Sequence, residues 1–174
     1  MNSILELLST ILGIYTSVIL LRIWLQMARA DFYNPFSQFV VKATQPILAP
    51  LRRMIPSIGK WDTAAILFAL FVSYLKAILL NHNPIVLNEL LIIGLLYLFY
   101  SAYYLLFGVL ILRAILSWVS QGNHPIEYLM GQLTEPLLSP IRRIIPPIGG
   151  LDLSMLVLIL GLQFMLNFVV EILS

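Results

Sequence analysis

The chain has no cysteine in its 174 residues. That excludes disulfides, thiolate catalysis and thioether attachment of haem, and it leaves the redox compartment open. Charge is scarce as well. Only 10% of the residues are Asp, Glu, Lys or Arg, against about 25% in a soluble domain. With 60% hydrophobic residues and a mean hydropathy of +0.96, the chain lacks the polar surface to cover itself in water and belongs to the membrane class. Ten basic residues against eight acidic ones make no nucleic-acid footprint, and no nucleic-acid partner is expected. No motif for nucleotide binding, metal ligation or nucleophilic catalysis is present, so neither an enzymatic activity nor a cofactor is expected. The amino-terminal stretch lacks a basic n-region and a small-residue cleavage site. Its apolar segment is therefore expected to stay in the mature protein.

Long apolar runs are what the chain has in abundance. A helix of about 20 mostly apolar residues crosses a hydrocarbon core, and four runs qualify, at about 4–27, 63–80, 87–113 and 153–173. The third stays apolar to about Trp118, longer than one bilayer, so it spans with a tilt or extends past the boundary. The connection between the first two runs carries Arg29, Lys42, Arg52, Arg53 and Lys60, and that between the last two carries Arg142 and Arg143, with Arg113 at its edge. The Asn81–Pro84 link and both termini have no Lys or Arg. The excess of positive charge on cytoplasmic loops then predicts cytoplasmic long connections and extracytoplasmic termini. In that arrangement His82 and His124 lie on opposite sides and cannot share a metal or an axial haem position within one chain.

The long connections repeat each other. "TQPILAPLRRMIPSIGKWD" begins at Thr44 and "TEPLLSPIRRIIPPIGGLD" at Thr134, 90 positions apart, with eleven of nineteen residues identical. Two spans per unit is an even number, so units 1–83 and 84–174 enter the membrane with the same polarity, as parallel repeats. The expected fold is thus all-α, with four transmembrane helices arranged as two helical hairpins. Asn34-Pro35 and His124-Pro125 each supply a cap and a first-turn proline. They precede apolar stripes at Phe36, Phe39, Val40 and Ala43, and at Ile126, Leu129, Met130 and Leu133. Such an amphipathic segment has two homes, the membrane interface or the bundle itself.

A proline inside a helix removes a hydrogen bond and costs about 3 kcal/mol. Pro46, Pro50 and Pro56, with Pro136, Pro140 and Pro146, are therefore expected to break the connections into short hinged pieces. Gly59 and Gly149 then permit the turn into the next span. Asp62 and Asp152 stand where an N-cap acid belongs.

These stretches, together with "LRIWLQMARADFYNPFSQFVVKATQP" and "LRAILSWVSQGNHPIEYLM", closely resemble the YggT (YlmG) family of small integral membrane proteins over nearly the whole chain. The resemblance implies a bacterial plasma-membrane protein of two tandem YggT units. It also implies functions of the kind linked to relatives: tolerance of osmotic stress with ion uptake, nucleoid or division-related organisation, or assembly of a b-type cytochrome in plastids.

Two ion pairs are predicted from the repeat, Arg22–Asp62 and Arg113–Asp152, each closing one hairpin; snorkelling arginines and capping aspartates are the alternative. The Arg52-Arg53 and Arg142-Arg143 pairs suit anionic lipid headgroups, because a guanidinium forks phosphate oxygens; topology enforcement alone, or a transported anion, are the alternatives. Lys76 and Glu89 can pair across the short link, with snorkelling as the alternative. Two classes of function follow. One is a non-enzymatic membrane organiser that contacts lipid, a second copy or another membrane protein. The other is a small oligomeric channel or accessory of ion uptake.

Overall fold

The computed structural model describes residues 3–80, 87–119, 124–145 and 153–173. Of these, 88% are helical, and there is no strand among them. The helices are α1 (Ser3–Met27), α2 (Pro35–Met54), α3 (Thr63–Leu80), α4 (Leu87–Val119), α5 (Pro125–Ile144) and α6 (Ser154–Leu173). Four of them, α1, α3, α4 and α6, are long and apolar enough to cross a membrane. Contacts divide the chain into two compact units, with the division inside α4 between Leu105 and Leu106.

In the first unit α3 packs on α1, and α2 packs on both. Ile19, Ile23, Leu48, Ala65, Ala69 and Val72 form the core. The buried face of α3 includes Ala65, Ala69, Ser73 and Ala77, one small residue every four. Helices in lipid gain nothing from hiding apolar surface from lipid tails, so they associate by close backbone approach over such small residues. The start of α4 joins this unit through an equally close approach at Gly94. A Cβ there would run into the Tyr74 ring.

In the second unit α5 packs on α6. Most of the apolar surface of α6 faces outward, with Leu156, Leu160, Phe164 and Phe168 all more than half exposed. A helix that keeps its large apolar residues outside is covered by hydrocarbon, not by water. This is a multi-pass membrane protein.

Both connecting helices begin as the sequence leads one to expect. The Asn34 side chain accepts from Phe36 N at 3.0 Å, and His124 Nδ1 accepts from Ile126 N at 3.3 Å. Their course differs from expectation. α2 runs unbroken through Pro46 and Pro50, and α5 through Pro136 and Pro140. These prolines do not break the helices into short pieces. Side chains bind carbonyls of the turn before Pro46: the Thr44 hydroxyl donates to Val40 O at 2.8 Å, Arg22 donates to Val41 O at 3.2 Å, and the Tyr15 hydroxyl to Ala43 O at 3.4 Å. α2 ends at Met54, where the Ile55 amide donates to Leu51 O at 2.8 Å, and α5 ends in the same way with Ile145 on Ile141 O. Pro56 follows the first of these ends. Gly59, at φ 61°, then turns the chain between Ile58 and Trp61, which pair through two backbone hydrogen bonds. Pro146, Gly149 and Asp152 lie outside the described residues.

The faces of the connecting helices also sort differently from the predicted stripes. α2 buries Ser37, Val40, Thr44 and Leu48, so of its predicted apolar stripe Val40 is buried and Phe36 half-buried, while Phe39 is 63% exposed and Ala43 is exposed. In α5 the predicted stripe does pack, since Leu129, Met130 and Leu133 are buried beside Thr134 and Leu138.

Candidate functional site

The repeated stretch builds the same cluster in each unit. In the first, Arg22 is only 5% exposed although it belongs to an apolar span. An arginine at the bilayer centre costs about 2.5–3.5 kcal/mol on insertion scales, and hydrogen bonds offset part of that here. Arg22 Nη1 donates to Thr44 Oγ1 at 2.6 Å, and Nη2 donates to Gln45 Oε1 at 2.7 Å. In the second, Arg113 donates to the Thr134 hydroxyl and, at 3.3 Å, to Glu135 Oε2. A span arginine is thus held by the Thr-Gln or Thr-Glu dipeptide that opens each repeat.

The predicted Arg22–Asp62 pair is not made. Asp62, 2% exposed, instead receives Nε of Arg52 at 3.1 Å and also its Nη2, which ties the end of α2 to the start of α3. Its other oxygen caps α3 by accepting from Ala65 N at 3.2 Å. The turn at Gly59 brings Asp62 back to α2, nearer to Arg52 than to the guanidinium of Arg22. In the second unit Arg142 donates to Glu135 Oε1 at 2.6 Å, so Glu135 joins Arg113 and Arg142. The predicted partner of Arg113, Asp152, falls outside the described residues. Sequence reasoning missed Thr44, Gln45, Thr134 and Glu135 as partners. Their signal was in plain view, since they are the first two residues of each copy.

The two arginines of each pair differ. Arg52 and Arg142 turn inward to acids, whereas Arg53 and Arg143 are exposed and make no ion pair with any described residue. Each exposed arginine is followed by a protruding apolar residue, Met54 or Ile144, and both are 81% exposed. Beside this helix end an apolar groove of about 620 Å³ opens between α2 and α3, lined by Pro46, Pro50, Leu51, Phe68 and Phe71 among others. No group of three or more metal-ligating side chains occurs among the described residues.

The CCB3/YggT family profile matches residues 1–82 and 92–173, one match per repeat. The chain belongs to the CCB3/YggT family. Among its relatives, an uncharacterised protein in the proC 3′ region of Vibrio alginolyticus is 59% identical over 169 residues, covering 94% of this chain and 91% of the relative. The uncharacterised protein YggT of Escherichia coli K12 is 52% identical over 174 residues, covering 100% of this chain and 93% of its own length. An uncharacterised Pseudomonas aeruginosa protein is 39% identical over 166 residues, covering 90% of this chain and 83% of the relative. No solved structure matches. The two arginine clusters are thus features of a tandem YggT protein, one in each family unit.

Proposed function

We propose that this YggT protein is a non-enzymatic organiser of the bacterial plasma membrane, and that its two connecting helices are amphipathic devices lying at the cytoplasmic interface. One observation carries the reading: both repeats end their connecting helix with an exposed arginine followed by an 81% exposed apolar residue, Arg53-Met54 and Arg143-Ile144. A cation beside a protruding apolar side chain suits the boundary between phosphate and acyl chain. Tyr33, Trp61 and Tyr128, all more than half exposed, supply the amphipathic rings that favour that level. The bound group is an anionic headgroup, forked by Arg53 or Arg143, and the proline-lined groove gives its acyl chain a place beside the first of these. A role in assembly or stress tolerance follows from gathering anionic lipid, or a membrane partner that carries it, around each unit.

The test is lipid retention by the purified chain. Native mass spectrometry on protein extracted in mild detergent should find anionic phospholipid retained in preference to zwitterionic phospholipid. The R53Q/R143Q variant should lose that preference several-fold while melting as the parent does. Equal retention by parent and variant would discard the reading. The orientation is tested separately, with a carboxy-terminal reporter expected to behave as extracytoplasmic.

A further inference from the structure

The sequence leads one to expect Lys76 to pair with Glu89 or to snorkel outward, and it does neither. No described carboxylate lies within ion-pair distance of it. Its ammonium instead turns into the bundle, 4.9 Å from the centre of the Tyr97 ring, where the electron-rich face gives a cation partial compensation. It also lies against Gly13 of α1, whose absent side chain makes the room, since a Cβ there would be 3.1 Å from Nζ. Gly13 is ten residues into the described part of α1, roughly 15 Å along the helix. It stands nine residues, roughly 13 Å, from the level of Arg22. An ionisable group held at such depth marks a binding site more often than a structural one.

The surroundings select the ligand. Lys76, Gly13 and Tyr97 line a cleft of about 630 Å³ together with Tyr100, Ser101 and Tyr104. The hydroxyls of Ser101 and of neighbouring Thr10 and Ser17 already donate to backbone carbonyls in their own helices. The tyrosine hydroxyls of Tyr100 and Tyr104 have no described partner. The free donors among the described lining residues are therefore an ammonium and phenols, with no acid among those residues to balance the charge. A metal cation or a protonated amine would meet uncompensated positive charge, whereas an oxyanion would meet a counter-charge and several donors. The volume lies in the range that holds an organic ligand, far above the needs of an inorganic ion.

The geometry points to a second anion site: the cleft between α1, α3 and the start of α4 binds an organic oxyanion, a carboxylate or phosphate, through Lys76 with Tyr100 and Tyr104. It is separate from the arginines at the helix ends.

Thermal unfolding of the full chain in neutral maltoside detergent tests this, with laurate and dodecyl phosphate as probes and dodecyltrimethylammonium as the charge-reversed control. The anionic amphiphiles should raise Tm in a saturable way and the cationic one should not. Measured in the R53Q/R143Q background, which removes the helix-end arginines from the response, K76M should lose at least 10-fold in apparent affinity for the anions and K76R should retain most of it. If K76M does not fold, Y100F/Y104F takes its place and should weaken the anions several-fold. Glycerol 3-phosphate or acetate protecting as well as the amphiphiles would make the natural ligand water-borne and keep the site. Equal saturable protection of the parent and the Lys76 or tyrosine variants, or equal protection by the cationic amphiphile, would overturn it.

Discussion

Arg22 of α1 donates to the Thr44 hydroxyl of α2 at 2.6 Å, and the equivalent Arg113 donates to Thr134 in the second repeat. A threonine that opens each copy of a repeated stretch thus holds the charge of the preceding span. The hydroxyl also donates to Val40 O within its own helix, so it serves as acceptor and donor at once.

Thr44→Val keeps the shape and removes that acceptor. A buried charged donor left with fewer partners costs about 1–3 kcal/mol, and unfolding in mixed micelles with increasing dodecyl sulfate should show a loss in that range. Thr134→Val should cost less, because the Arg113 side chain is 19% exposed and keeps Glu135. Equal and negligible losses at both sites would remove the threonines from the account.

Asp62 has two separable roles, partner of Arg52 and cap of α3. Asp62→Asn preserves a capping oxygen and removes the charge, while Asp62→Ala removes both. Alanine should therefore be worse than asparagine by about 0.5–2 kcal/mol, the usual worth of an N-cap. In double-mutant cycles Asp62 should couple more strongly to Arg52 than to Arg22. Stronger coupling to Arg22 would return the pairing to the one predicted from sequence.

These two sites also show how far the sequence could be read. The four spans were legible because a run of about 20 apolar residues has few other fates. The caps at Asn34 and His124 were legible because they are local. The unbroken course of α2 was not, since a proline's cost is local whereas the packing of α2 on α1 and α3 is not. The Arg52–Asp62 pair was hidden for a related reason, as it depends on the turn that Gly59 makes. The small-residue stripe of α3 escaped because it is built from alanine and serine, not glycine.

Gly94 and Tyr74 are packed so closely that any side chain at 94 must displace the ring. Gly94→Ala should destabilise the chain by about 1–3 kcal/mol, the range for overpacking. The cost should shrink in a Tyr74→Ala background, where the obstacle is gone. An unchanged cost in that background would place the strain elsewhere.

Ser37 is fully buried, and its hydroxyl has no hydrogen-bond partner among the described residues. Removing an unpaired buried polar group relieves a desolvation penalty, so Ser37→Ala should be neutral or stabilise by about 1 kcal/mol. A clear loss of stability would reveal that the hydroxyl has a partner in the membrane-embedded protein.

Gln45 and Glu135 occupy the same place in the two copies, and the exchange relocates a negative charge. Glu135 holds Arg113 at 3.3 Å and Arg142 at 2.6 Å, whereas Gln45 holds Arg22 alone and leaves Arg52 to Asp62. Glu135→Gln should therefore destabilise the second unit. The effect should be small, about 0.2–1 kcal/mol, because the Glu135 side chain is 48% exposed and solvent screens it. Gln45→Glu gives the more deeply buried Arg22 a counter-charge and should be neutral or stabilising in the same micelle titration. The double exchange then separates two ideas. If the copies use one interchangeable cluster, its effect is the sum of the single ones. A loss well beyond that sum would mean that the position of the charge distinguishes the two units.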